Sequence, residues 1–247
     1  MTGRLHAALA AKPHVWGGWV VGPTILGPEE FARAGYDYVG FDLQHGYLDD
    51  ADVALLLRRL EHVPIATAVR LPSPDPAPIG RVLDAGADAV IIAMIESAEA
   101  AAAAVAATRY APTGVRSFGP LRADIGLDPA EHETAASVFA MIETARGLSA
   151  LDEVCAVPGL AGVYVGPADL AITLGENPVT ALSAPAVLDA VARISSVATD
   201  AGLVPGIHAN AGKPGKAMAE LGFRMITLAS ESAALRRGAA EHLRDAQ

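Results

Sequence analysis

The chain has 247 residues, 52% of them hydrophobic, and its 18 lysines and arginines against 28 aspartates and glutamates give a net charge of −10. That composition supports one substantial core without requiring a second domain, and its scattered acids lack the basic face that nucleic-acid phosphates need. No apolar run approaches the ~20 residues that span a bilayer, and the single cysteine, Cys155, excludes an internal disulfide. With no signal-type apolar segment after Met-Thr-Gly-Arg-Leu-His, the expectation is a cytoplasmic protein with small-molecule partners, no nucleic acid and no membrane.

In chain order, eight candidate strands stand out: Val15–Val21, Tyr38–Gln44, Ile65–Leu71, Ala89–Ile95, Val138–Thr144, Gly162–Gly166, Val204–Ala209 and Phe223–Ala229. Helical patterns fill the gaps, among them Asp50–His62, Ala77–Ala85, the alanine-rich Ser97–Tyr110, Leu148–Val157, Pro185–Gly202 and Ser232–Ala246. One phrase recurs at the junctions: a helix end, a glycine, then a β-branched run. It reads Ala34-Gly-Tyr-Asp-Tyr-Val-Gly-Phe-Asp42 and Asp84-Ala-Gly-Ala-Asp-Ala-Val-Ile-Ile92, with weaker copies at Pro158–Val165 and Glu220–Thr227. Each glycine suits a left-handed helix cap, and each run suits a strand covered on both faces. Eight such βα units in one chain predict an α/β fold, a (β/α)8 TIM barrel, as a single domain over residues 1–247. The Gly- and Pro-rich excursion Pro112–Ala130 is expected to leave the C-terminal end of the fourth strand, where barrel active sites sit.

Polar residues gather at the predicted strand ends. The second strand leads to Asp42-Leu-Gln-His45, the third ends Val69-Arg70, the fifth ends Met141-Ile-Glu143-Thr144, and the sixth leads to Asp169. Glu143 and Asp169 close successive strands, ~5 Å apart in a parallel sheet. Two carboxylates that close repel unless a proton or a cation separates them, and an all-oxygen pair suits a hard divalent ion. Asp169 also opens a helix behind Pro167, where unpaired amides meet the positive dipole end, so it is either a helix cap or a metal ligand beside an anion site. His45 is either a core histidine or a proton carrier whose tautomer Asp42 fixes. Arg70, buried at a barrel mouth, needs an anionic partner. Arg116 and Arg122 either add positive potential or stay solvated, and His208 ends the seventh strand with no assigned role. Cys155 reads as inert packing. None of the three lysines lies in a strand, which disfavours a Schiff-base mechanism without excluding Lys213.

Asp42-x-Gln-His45-Gly, Val69-Arg70, Leu83-Asp-Ala-Gly86, Arg109-Tyr-x-Pro-x-Gly-x-Arg116-Ser-Phe-Gly, Ile142-Glu143-Thr and Val165-Gly-Pro-Ala-Asp169-Leu together resemble the HpcH/HpaI aldolase family. These are class II pyruvate aldolases related to 4-hydroxy-2-oxoheptanedioate and 2-keto-3-deoxy sugar acid aldolases. The resemblance runs from about Trp19 to the last strand. It implies a site holding Mg2+, Mn2+ or Co2+ through Glu143 and Asp169, with the 2-keto acid chelating the metal. Backbone amides at Ala168 and Asp169 would take the carboxylate, with Gly166, Pro167, Trp19 and Gln44 also lining the substrate. Arg70 would contact the keto oxygen, and His45 with Asp42 would move protons. It further implies a hexamer with C-terminal helices exchanged between subunits and Asp84 approaching a neighbour's active site. Gln44 and Met141 differ from the Glu and Gln of dicarboxylate-cleaving members, which puts the aldehyde partner in doubt.

The leading expectation is reversible aldol cleavage of a 4-hydroxy-2-oxo acid to pyruvate and an aldehyde. The rival enzyme readings are oxaloacetate decarboxylation and cleavage of a malyl- or citryl-thioester. The rival outside catalysis is a keto-acid-binding barrel, for which His45 with Asp42 has no use.

Overall fold

The computed structural model describes residues 3–122 and 125–247. Two residues at the N-terminus and residues 123 and 124 of the long excursion therefore lie outside the described residues.

The chain closes into a parallel barrel, β1 to β8 paired in sequence order and β8 paired back to β1. The strands are β1 (Val15–Val20), β2 (Tyr38–Asp42), β3 (Ala66–Leu71), β4 (Ala89–Ile92), β5 (Ser137–Ile142), β6 (Gly162–Val165), β7 (Val204–His208) and β8 (Met225–Ser230). Between and around them run α1 (Arg4–Ala11), α2 (Leu26–Arg33), α3 (Asp50–Arg59), α4 (Pro76–Asp84), α5 (Ala98–Ala106), α6 (Pro129–Ala135), α7 (Ala145–Ser149), α8 (Leu151–Cys155), α9 (Pro167–Thr173), α10 (Pro185–Asp200), α11 (Gly212–Glu220) and α12 (Glu231–Asp245). The predicted barrel is the observed one.

Strand alternation divides the core in two. Val39, Phe41, Val69, Val90, Ile142, Val165 and Ile207 face outward into the sleeve between strands and helices, while Trp19, Tyr38, Ala68, Ile91, Met141 and Tyr164 fill the barrel itself. Both faces of each strand are thus buried, which is why the strands read as continuous apolar runs. Inside, the Tyr38 and Tyr164 hydroxyls share Thr227 Oγ1 at 2.8 and 2.6 Å. Leu5 and Leu9 of α1 join the barrel-filling cluster, and Arg4 ties that helix down to the carbonyls of Glu61 and Val63 at 2.7 and 2.9 Å.

The recurring glycines do what their position suggests. Gly35, Gly86, Gly159 and Gly222 all take positive φ, between 89° and 96°, the left-handed region in which only glycine is free of a Cβ penalty. Cys155 is buried and burial pushes its thiol up to about 11, so it packs rather than reacts.

Three expectations need correction. The segment Leu148–Val157 is not one helix: α7 begins at its Thr144 cap, and Ala150 (φ −88°, ψ 6°) separates it from α8. The second strand stops at Asp42 rather than Gln44, because the Asp42 side chain turns back to accept the amides of Gln44 and His45. The long excursion lies at the opposite end of the barrel from the one predicted. Helix α5 follows β4 after a short connection and carries the chain back, so the excursion runs from α5 to α6 and feeds the N-terminal end of β5. Leu121 accordingly donates its amide to the Asp84 carbonyl, at the foot of α4, at 2.8 Å.

Candidate active site

In β1, β2, β3, β5 and β7 the outward residues are fixed by packing, so their neighbours must face the barrel axis. At the C-terminal mouth those inward positions are Trp19, Asp42, Arg70, Glu143 and His208, with Gly166 at the end of β6. Four of the six were expected at the mouth from their places at strand ends, and Trp19 from the family resemblance.

Asp42 and Arg70 stand side by side across β2 and β3. Arg70 Nε donates to Asp42 Oδ1 at 3.0 Å and Nη2 to Oδ2 at 2.5 Å. The Trp19 indole donates to the same carboxylate at 3.1 Å, and the Arg70 guanidinium lies 5.4 Å from the Trp19 ring centroid. Burial alone would raise the Asp42 pKa. The hydrogen bonds and charge of Arg70, aided by the His45 amide and Trp19, prevail and lower it. Arg70 thus has the anionic partner its burial demands. The expected role of Asp42 changes with this: it holds the backbone of His45, at 3.0 Å, and its two oxygens are taken up by Arg70, Trp19 and main-chain amides rather than by the imidazole. The His45 side chain is exposed at the rim, while Gln44 is half-buried beside it.

Glu143 is buried at the end of β5. Its Oε1 accepts the Met94 amide at 2.8 Å, and Met94 takes φ 55° to present it. Its Oε2 is buried with no hydrogen-bond partner. Burial drives the Glu143 pKa up to about 6, Met94 and Arg70 oppose it, and the nearby charge of Asp169 adds to it. Asp169 is half-buried in the first turn of α9, behind Gly166 and Pro167. The Leu170 amide is the first in that helix to bond back, to Gly166 at 3.2 Å, so the Ala168 and Asp169 amides precede the helical ladder. Gly166 presses on the site: a Cβ there would come within 2.5 Å of Glu143 Oε2.

A buried carboxylate oxygen without a donor is a standing cost. A hard divalent cation shared by Glu143 and Asp169 removes it, and an all-oxygen pair is the donor set that such ions prefer. Among the described residues no group of three or more His, Cys, Asp or Glu is placed to hold a metal. The fit is therefore to a two-carboxylate site with positions left for substrate and water.

The structure does not bring Asp84, Arg116 or Arg122 into this ring. Asp84 ends α4, and its Oδ1 accepts Arg116 Nη2 at 2.7 Å; burial raises its pKa against that pairing. Arg122 lies against Gly86, at the same N-terminal end. Lys213 and Lys216 are exposed on α11. Sequence reasoning missed the Met94 amide, which has no side-chain signal, and it missed Glu231, which anchors the β1–α2 connection by accepting the Val21 and Gly22 amides at 3.2 and 3.0 Å.

Comparison with known proteins bears on this geometry. The chain is 35% identical over 234 residues to the hydroxypyruvate/pyruvate aldolase of Rhizorhabdus wittichii, covering 93% of each chain. It is 36% identical over 207 residues to the 4-hydroxy-2-oxovalerate aldolase of Novosphingobium aromaticivorans, covering 80% of this chain and 78% of that one. Among solved structures, a HpcH/HpaI aldolase/citrate lyase family protein from Burkholderia cenocepacia superposes with a TM-score of 0.89 at 31% identity, with 99% of both chains covered. The sequence model of that family matches residues 17–237, the whole barrel from β1 into α12. The chain is a carbon–carbon lyase and belongs to the HpcH/HpaI aldolase/citrate lyase family.

Proposed function

We propose that this chain is a class II aldolase that cleaves 4-hydroxy-2-oxo acids reversibly to pyruvate, or a close 2-oxo acid such as hydroxypyruvate, and an aldehyde. The observation that carries the reading is the partnerless, buried Oε2 of Glu143 beside Asp169 in a ring that also contains Arg70. Glu143 and Asp169 hold a divalent ion (Mg2+, Mn2+ or Co2+), which supplies Lewis acidity toward the 2-oxo group. The amides of Ala168 and Asp169, at the positive end of α9, receive the substrate carboxylate. Arg70, locked by Asp42 and Trp19, points its guanidinium at the keto oxygen and stabilises negative charge as it develops there. Asp42 is a positioning residue for Arg70 and for the backbone of His45. His45, at the exposed rim, moves the proton of the 4-hydroxyl, and Gln44 contacts the aldehyde portion.

The assembly follows the family expectation of a hexamer. Helix α12 has no buried residue, and its Leu235 is 74% exposed; this supports exchange of the helix with a neighbour, beside which Asp84 approaches the neighbour's site. Light scattering on the purified chain tests it.

The reaction is tested by following exchange of pyruvate methyl protons with solvent deuterium by NMR. Metal-dependent exchange is expected, abolished by chelation and by Glu143→Ala and slowed by about 10²-fold or more in Arg70→Ala. Undiminished exchange after rigorous metal removal would sink the metal-dependent mechanism.

A further inference from the structure

One member of the inward ring has no part in that mechanism. Strand β7 turns Ile207 out into the sleeve, so Gly206 and His208 face the barrel axis; a Cβ on Gly206 would come within 2.6 Å of the ring of the interior Tyr164. His208 therefore holds in β7 the place that Asp42, Arg70 and Glu143 hold in their strands. Its imidazole meets the Trp19 ring edge to face at 5.0 Å and 87°, and it is half-buried rather than sealed. Burial and the Arg70 charge push its pKa down to about 4, against Asp42 and a hydrogen bond that the imidazole donates to Asn210. At neutral pH it is thus an uncharged group whose N–H is taken up by Asn210, which leaves one ring nitrogen as a lone-pair acceptor.

The surroundings of that remaining nitrogen make it costly unless a ligand uses it. The Trp19 ring that it meets and Gly166, next to it in the β6–β7 register, offer apolar surface beside it, which suits a methyl group, whereas a ring nitrogen facing a bound methyl loses its water without gaining a partner. Arg70, the group assigned to the keto oxygen, lies 5.4 Å from the centroid of the same Trp19 ring that His208 meets at 5.0 Å, so a 2-oxo acid seated there has its C3 substituent within the same small mouth. We propose that His208 is a specificity-determining residue that hydrogen-bonds a hydroxyl on C3 of the donor, selecting 3-hydroxylated 2-oxo acids over pyruvate. The proposal rests on the aldolase reading above.

The test compares kcat/KM for hydroxypyruvate and for pyruvate with one common aldehyde, in the wild type, His208→Leu and His208→Gln, each loaded with Mn2+. His208→Leu is expected to lower the hydroxypyruvate-to-pyruvate ratio by about tenfold or more, the worth of one hydrogen bond and the stranded hydroxyl. His208→Gln, which keeps a donor and an acceptor, is expected to restore most of that ratio. A merely structural role would depress both donors in parallel, and a ratio unchanged in His208→Leu overturns the proposal. Pyruvate methyl exchange in His208→Leu is expected to persist, which separates the two ideas. A wild-type protein inert toward both donors overturns the aldolase reading itself, and this proposal with it.

Discussion

Asp42 and Glu143 are carboxylates that both feel the Arg70 guanidinium, and their environments push them in opposite directions. Asp42 is surrounded by donors, so its folded pKa lies below its unfolded one. Its contribution to stability is present above the ordinary carboxylate range and is lost as pH falls through the depressed value. Replacing it with Asn leaves the buried Arg70 without its counter-charge; a loss of about 3–5 kcal/mol in urea unfolding is expected, with catalysis falling alongside. Glu143 has one amide donor and one orphan oxygen, and its folded pKa is raised to about 6. In the metal-free protein its contribution is therefore fullest below the unfolded value near 4.5 and is lost as pH rises through 6. With Glu143 as the proposed ligand, protons and metal would compete for the same oxygens, so Mn2+ affinity measured by calorimetry should weaken by about tenfold per pH unit below 6. A flat affinity from pH 7 to pH 5 would remove Glu143 from the ligand set. The Glu143–Asp169 pairing was legible in the sequence, since both follow recognisable strands that are neighbours in any barrel. The Asp42–Arg70 pairing was not. His45 lies three positions from Asp42 and invited a local partnership, whereas Arg70 is 28 positions away and becomes a neighbour only through the β2–β3 register.

At the scale of elements, the four helix-to-strand glycines announced their junctions because the left-handed cap is a requirement of one residue on one dihedral. The excursion Pro112–Ala130 was put at the wrong end although the expected helix Ser97–Tyr110 already stood between it and the fourth strand; a loop after a returning helix belongs to the N-terminal end. Only the presence of α5 between it and β4 decides which end it occupies. That placement takes Arg116 and Arg122 away from the mouth and pairs Arg116 with Asp84 instead. Gly166 is the element boundary on which the site most depends, for β6 ends and α9 begins there with no side chain between the backbone and Glu143. Gly166→Ala would drive a Cβ to within 2.5 Å of Glu143 Oε2 and 2.7 Å of Met141 Cε. The barrel should survive, with an unchanged circular dichroism spectrum, while deuterium exchange falls by about 10²-fold from displacement of the Glu143 carboxylate.

Across the whole molecule, the barrel must close where its first and last strands meet. That seam carries a register shift between Gly17 and Gly18. Two devices steady it: the Tyr38–Thr227–Tyr164 hydroxyl knot within, and Glu231 at the rim, whose Oε1 holds the Val21 and Gly22 amides. Glu231→Ala removes both bonds, and hydrogen exchange at Val21 and Gly22 is expected to accelerate by about tenfold or more while the remaining strands keep their protection. Val21 in turn accepts the Tyr47 amide at 2.7 Å, two residues beyond His45. The first residue of the terminal helix is therefore linked to the rim that carries His45 through two main-chain steps. If the chain assembles through α12 as proposed, dilution should silence the enzyme while leaving its barrel folded, with subunit contact acting as a latch on the loop that carries His45.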